Sequence, residues 1–237
     1  MAADIVSNLA AWYKFDGDAL DASANGVNGT AFNSPDYVTG VHGNAIRFTN
    51  AAAQKSVSLG PTLLNSESAV TVSAWVKFIA IADFYAPWSK YSTTSNRFGV
   101  TLGGTGAGSN TGLLVMAASG GNAYGVTAGG LLTTDVWYRL TQVFDGTQTG
   151  NANRLKIYIG KVSQSLTFTG TIPAATANLT STAFVWGRHS ATYSDMILDD
   201  ARIYLRALDQ DSIDALVDYS PATFKSAWAA NSNQVIA

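Results

Sequence analysis

The chain has 237 residues, 47% of them hydrophobic and only 13% charged, with 22 glycines and a formal net charge of −2. One apolar core joined by glycine-rich turns accounts for those values, and a single β-sandwich fills this length without a second domain. The composition excludes several classes: no basic run suits nucleic acid, no apolar stretch approaches the roughly 20 residues of a membrane helix, and the lack of cysteine removes disulfides and thiol chemistry.

Taken in order, residues 1–7 are expected to pack or pair loosely, and they lack the basic segment and long apolar run of a secretory signal. Leu9, Ala11, Tyr13 and Phe15 alternate with Ala10, Trp12 and Lys14, which predicts a first strand ending at Asp16-Gly17. Residues 18–29 are rich in Asp, Asn and Gly, which favour turns. Residues 40–48 read as a turn entering a second strand, 57–59 as a short strand and 70–78 as a strong one. The aromatic run 84–90 precedes a polar turn at 92–96 and a strand at 98–102. Residues 103–112 form a glycine-rich loop with neither the lysine nor the following helix of a phosphate cradle. Further strands are predicted at 113–117, 124–127, 137–145, 154–159, 166–168 and 184–187, a spacing that describes an antiparallel sandwich.

The stretch from Ser194 to Leu216 organises the rest. Ile197, Asp199, Ala201 and Ile203 alternate with Leu198, Asp200, Arg202 and Tyr204, and both faces carry apolar groups, so the strand is expected to be central. Two aspartates on a central strand are costly unless a metal ion, an arginine or backbone N–H groups meet them. Acids early and apolar residues at helical spacing predict a short helix over 208–216. Residues 1–219 form the predicted domain. Residues 220–237 are a C-terminal extension in which Phe224 and Trp228, four apart, suit either a packed tail or an arm docked on a partner subunit.

Five stretches in order carry a family resemblance: LAAWYKFDG from Leu9, VSAWVK from Val72, WYRL from Trp137 through DGT at Asp145, RLKIYIG from Arg154, and LDDARIYLRALDQDSIDAL from Leu198. Together they resemble the laminin-G-like domains of the concanavalin A-like lectin and glucanase superfamily. The fold so implied is an all-β, antiparallel jelly-roll sandwich with one short C-terminal helix. The resemblance also implies a structural calcium ion at one edge, held by Asp16 and by Asp200 or Asp199, with backbone oxygens around Gly43 and Asn44. The competing reading has Asp16 capping a turn and Asp200 pairing with Arg47 or Arg202.

Catalysis is disfavoured. Glycoside hydrolysis needs two carboxyl groups, hydrolases of this architecture use paired glutamates, and this chain has the single Glu67 in a turn-like context. Neighbouring strand residues such as Asp199 and Asp200 are expected on opposite faces. Lyase-type proton abstraction would fall to His42 or His189, both read as loop histidines, so no catalytic residue is assigned. Binding remains, through aromatic groups that stack on sugar rings. Trp88, Tyr91, Arg97, Tyr124 and Tyr193 are the candidates, while Trp12, Trp75, Trp137 and Trp186 are expected in the core.

The sequence therefore points to a non-catalytic structural and interaction module. The leading expectation is a virion-associated decoration or adhesion protein on a virion surface, meeting a glycan or other surface subunits and able to form a homo-oligomer. The alternative is a carbohydrate-binding module of a bacterial surface protein or enzyme, located extracellularly or on the cell surface. A polysaccharide-active enzyme comes third.

Overall fold

A computed structural model describes residues 3–23, 25–50, 53–103 and 112–219. The first half runs β1 (Leu9–Tyr13), β2 (Thr30–Phe32), β3 (Asp36–Thr39), β4 (Asn44–Phe48), β5 (Ser56–Ser58), β6 (Ala69–Phe78), β7 (Trp88–Thr93), β8 (Asn96–Leu102) and β9 (Leu113–Ser119). The second half runs β10 (Tyr124–Val126), β11 (Trp137–Asp145), α1 (Asn151–Arg154), β12 (Leu155–Ile159), β13 (Val162–Gln164), β14 (Thr167–Thr169), β15 (Val185–Trp186), β16 (Arg188–His189), β17 (Thr192–Tyr193), β18 (Met196–Tyr204) and α2 (Gln210–Val217).

Two antiparallel sheets face each other. The first has the order β13-β12-β11-β6-β18-β4-β3, with β1 also paired to β18, and the second has the order β14-β10-β9-β8-β7-β15-β5-β2. Strand alternation supplies the layer between them: Val70, Val72, Ala74, Val76 and Phe78 of β6 meet Phe98, Val100 and Leu102 of β8 in one core. Gln142 of β11 ties the sheets together inside that core. Its Oε1 accepts from Trp88 Nε1 at 2.9 Å and its Nε2 donates to the Met116 carbonyl at 3.0 Å, so both polar atoms of the amide are paired where an unpaired one would be costly.

The closing strand behaves as the sequence suggests: every residue of β18 is buried, between β6 and β4. Its regular alternation, however, breaks. The register with β6 shifts between Asp199 and Arg202, and Asp200 has a φ of 45°, a left-handed conformation that Asp tolerates better than most residues. The bulge leaves Asp199 beside Trp75 in register and aims Asp200 at Trp12 and Arg139, so both acids serve the face of the first sheet turned away from the core.

Helix α2 closes that face. Asp209 is its N-cap, accepting from Ser212 N at 2.9 Å. Ile213 and Leu216 pack with Leu9, Trp12, Val143, Tyr158, Tyr204 and Tyr219 in a second apolar cluster. The residues before β1 join it: Tyr204 donates its hydroxyl to the Ile5 carbonyl at 3.0 Å. Of the four tryptophans expected inside, only Trp186 is in the central core. Trp12 is buried under α2 instead, and Trp75 and Trp137 are half-buried on the outer face, the latter beneath Lys77 Nζ at 5.1 Å. Strands β2 and β3, with mostly exposed or half-buried residues, lack the apolar period and went unseen in the sequence. Phe224 and Trp228 lie outside the described residues.

Candidate functional site

The second sheet has an outer face, and register fixes what stands on it. Arg97, Gly99 and Thr101 of β8 pair with Ala118, Met116 and Leu114 of β9, while Tyr124 and Val126 of β10 pair with Met116 and Leu114 and then with Thr169 and Thr167 of β14. Leu114, Met116 and Val126 pack together with Tyr124 as a patch separate from the main core. At the β10–β14 end lies an open cleft of about 480 Å³. Its floor is Tyr124, Val126, Thr167 and Thr169 of the paired strands, and Thr127, Ala128, Leu131, Gln164 and Ser165 complete its lining. One aromatic ring, an aliphatic floor, hydroxyls and an amide suit a sugar, whose apolar ring face stacks and whose hydroxyls take hydrogen bonds. No Asp or Glu lines the cleft.

Beside the cleft the face continues as an aromatic row with one cation in it. The Arg97 guanidinium lies over the Tyr124 ring at 5.3 Å and donates from Nη2 to Asn122 Oδ1 at 2.7 Å. Tyr91 is the cross-strand partner of Arg97, and its ring centre is 4.5 Å from that of His189. His189 is not the solvated loop residue expected from its surroundings. It is buried on the β16–β17 hairpin, its Nδ1 is 3.0 Å from Ser89 Oγ, and it stacks on Phe84. Burial, reinforced by Arg97, pushes its pKa down to about 4, so the ring is neutral at physiological pH.

Of the five ligand-binding candidates, the structure brings Tyr91, Arg97 and Tyr124 onto this one face. Trp88 is corrected: it is fully buried, because its strand position points between the sheets, where Gln142 satisfies its N–H. Tyr193 accepts from Arg188 Nη1 at 3.2 Å and lies under the same guanidinium, a pair internal to the hairpin. Sequence reasoning missed Gln164, Ser165, Thr167 and Thr169, whose polar short-strand context gives no local signal; their role comes from β10 pairing with β14.

At the edge where the resemblance implies calcium, the acids make other contacts. Asp16 and Asp199 hold opposite ends of the turn 40–44: Asp16 Oδ1 accepts from Asn44 N at 2.9 Å, and Asp199 Oδ2 accepts from Val41 N and His42 N at 2.7 Å each. Gly43, with a φ of 79°, sits against the Asp16 carboxylate so closely that a Cβ would collide with it. Asp200 turns away to a buried cluster. Its Oδ2 meets Arg139 Nη1 at 2.7 Å, and its Oδ1 meets Arg202 Nε at 2.9 Å and Trp12 Nε1 at 2.6 Å. Those cations hold its carboxyl below the usual range despite full burial. Asp199, without a cation of its own, is pushed by burial up to about 7.

A calcium ion needs carboxylates and carbonyl oxygens turned inward, and the donor set here is wrong for it. The turn offers N–H groups to the carboxylates, two guanidinium ions face Asp200, and no group of three or more His, Cys, Asp or Glu side chains is arranged for a metal among the described residues. Asp200 pairs with Arg202, as one reading allowed, and with Arg139, while Arg47 stands opposite Ile197 on β4.

The sequence profile of the concanavalin A-like lectin/glucanases superfamily matches residues 49–214. The chain belongs to that superfamily. Its members' fold is found again in domain 4 of AbnA, an extracellular arabinanase of Geobacillus stearothermophilus solved with arabinotriose: 22% identity over 89% of this chain and 98% of that one, with a TM-score of 0.66. It recurs in the binding domain of Paraclostridial Mosquitocidal Protein 1 (15% identity, 90% of this chain and 52% of that one, TM-score 0.67). A third example is the binding domain of Botulinum Neurotoxin DC in complex with SialylT (13% identity, 91% and 52%, TM-score 0.60). The chain spans about half the length of those toxin domains. No curated protein sequence matches it.

In this member of the superfamily Asp199 serves the turn 40–44 and Asp200 the arginine cluster. The bulge does what simple alternation forbids, giving Asp199 and Asp200 a common face; Asp199 Oδ2 is engaged by backbone N–H groups while its Oδ1 is buried without a partner, and both oxygens of Asp200 meet arginines. Glu67 stands in a turn locked by Thr176, whose hydroxyl accepts from Glu67 N and whose N–H donates to the Glu67 carbonyl at 2.9 Å each. No described helix is long and apolar enough to cross a membrane.

Proposed function

We propose that the chain is a non-catalytic glycan-binding module that uses the outer face of its second sheet. The observation that carries this reading is the cleft over Tyr124, Val126, Thr167 and Thr169, which combines a ring, an apolar floor and neutral polar walls with no carboxylate to act on a glycosidic bond. The family membership supports it, as does the recurrence of the fold in a domain solved with arabinotriose and a binding domain solved with SialylT. Such a module would work outside the cell, on a virion or a bacterial surface. Sedimentation with phage particles, compared with retention on glycan-bearing cell walls, distinguishes the two settings.

A glycan array probed with the wild-type protein and with Tyr124→Ala tests the reading. Binding to a defined set of oligosaccharides, lost in the variant while its circular dichroism still shows a folded sandwich, is expected. A blank array for the folded wild-type protein, or binding untouched by the substitution, would contradict it.

A further inference from the structure

Four lysine and arginine side chains are buried among the described residues: Lys90, Arg97, Arg139 and Arg202. Three have an evident anchor. Arg139 and Arg202 share Asp200. Lys90 donates to the Pro61 and Leu63 carbonyls and to Asn65 Oδ1 at 3.0, 2.5 and 2.6 Å. Arg97 is different. It is 7% exposed and, like Lys90, has no carboxylate of the described residues within ion-pair distance, but where the Lys90 ammonium meets three oxygens the Arg97 guanidinium has one amide oxygen, on Asn122, and the face of the Tyr124 ring. Its Nε–H is buried without a partner, and the Thr101 hydroxyl on the same strand face is buried without one too.

An arginine does not shed its charge to escape this situation. A buried guanidinium with an unfilled N–H and no counter-ion is costly, and an anion arriving from the cleft side would supply both. The guanidinium borders the cleft through Tyr124, which lies under it and also forms part of the cleft floor. A bound chain that stacks on Tyr124 therefore passes Arg97 within reach of a substituent. No acidic side chain lines that path to repel an incoming anion, and His189 beyond Tyr91 is uncharged at neutral pH. The fork of a guanidinium matches a planar carboxylate.

We infer that the glycan taken by this face is an acidic one, carrying a carboxylate of uronic or sialic acid type, and that Arg97 is the group that pairs with it. The inference rests on the glycan-binding reading above and narrows it to a substrate class.

The test uses matched pairs differing only in that charge: oligogalacturonate against its methyl ester, and sialyl-lactose against lactose, titrated calorimetrically into the whole protein at low and high salt. Heparin oligosaccharide serves as a sulfated control. The expected result is binding of one carboxylated member at least tenfold tighter than its neutral counterpart, weakening with salt, with discrimination abolished in Arg97→Gln and reduced in Arg97→Lys. The wild-type salt dependence and the matched pair keep the test independent of how well the variants fold. Equal affinity for neutral and acidic members, still sensitive to Tyr124→Ala, would overturn the acidic assignment and leave the glycan-binding reading intact. Preference for the sulfated control alone would overturn the carboxylate. Binding of none of these, with a blank glycan array, would overturn both readings.

Discussion

Replacing Asp200 by Ala isolates what holds the closing strand in place. The carboxylate is fully engaged, by Arg139 at 2.7 Å, Arg202 at 2.9 Å and Trp12 at 2.6 Å, and both guanidinium groups have side chains of 0% exposure. Truncation leaves two like charges buried together and an indole N–H without its acceptor. Removing one partner of a buried ion pair costs about 3–5 kcal/mol. For a chain of this size each kcal/mol moves the melting temperature by about 2–4 °C, so a fall of roughly 10 °C is expected. Circular dichroism melts, run in calcium and again in chelator, are the assay. Because the carboxylate faces arginines, the loss is expected to be the same in both solutions. A melting temperature like that of wild type, or a loss confined to the calcium-containing buffer, would refute the arginine-cluster account.

Two buried groups that titrate between about pH 4 and 7 pull stability in opposite directions. His189, lowered from 6.5 to about 4, makes the fold more stable as pH rises through that window, whereas Asp199, raised from 3.8 to about 7, makes it less stable as pH rises through its own. Each is worth about 1.4 kcal/mol per pH unit, so relative to wild type the urea-unfolding stability of Asp199→Asn should climb from pH 4 to 6.5 and that of His189→Gln should fall; parallel profiles would contradict the assignments. Gly43→Ala puts a side chain at a φ of 79° against Asp16 and should cost about 2 kcal/mol, part of it recovered in combination with Asp16→Ala; strictly additive losses in denaturant melts would show that the collision does not occur. Tyr124→Ala removes the one ring in the cleft and should lower glycan affinity about tenfold or more, read by calorimetry on the folded variant at a temperature well below its melt.

The sequence carried the architecture well where apolar period was strong. β6, β11 and β18 were legible because their alternation or double-sided apolarity has one structural use, and α2 was legible from the Asp209 cap and the spacing of Ile213 and Leu216. The bulge at Asp199–Arg202 was not, since it depends on one left-handed residue inside an otherwise regular pattern. The resemblance put Asp16 and Asp200, or Asp199 in the other strand phase, beside the turn 40–44; the bulge gives that place to Asp199, and residue types alone cannot say whether a backbone offers its oxygens or its N–H groups. The site was half visible. Tyr124 and Arg97 stand out as an aromatic and a cation near strand ends, but Thr167 and Thr169 join them only through the pairing of strands about forty residues apart. Trp88 and His189 misled for the same reason, because burial of a strand-edge aromatic or a loop histidine is decided by what folds over it.

The most direct test of the central claim is a residue-level map of the bound surface: amide NMR shifts of the labelled protein on titration with its best-binding oligosaccharide. The account predicts shifts concentrated at Arg97, Asn122, Tyr124, Val126 and 164–169, with the turn 40–44 silent. Shifts centred instead on Asp16, His42 and Asn44, with the Tyr124 face unmoved, would contradict it.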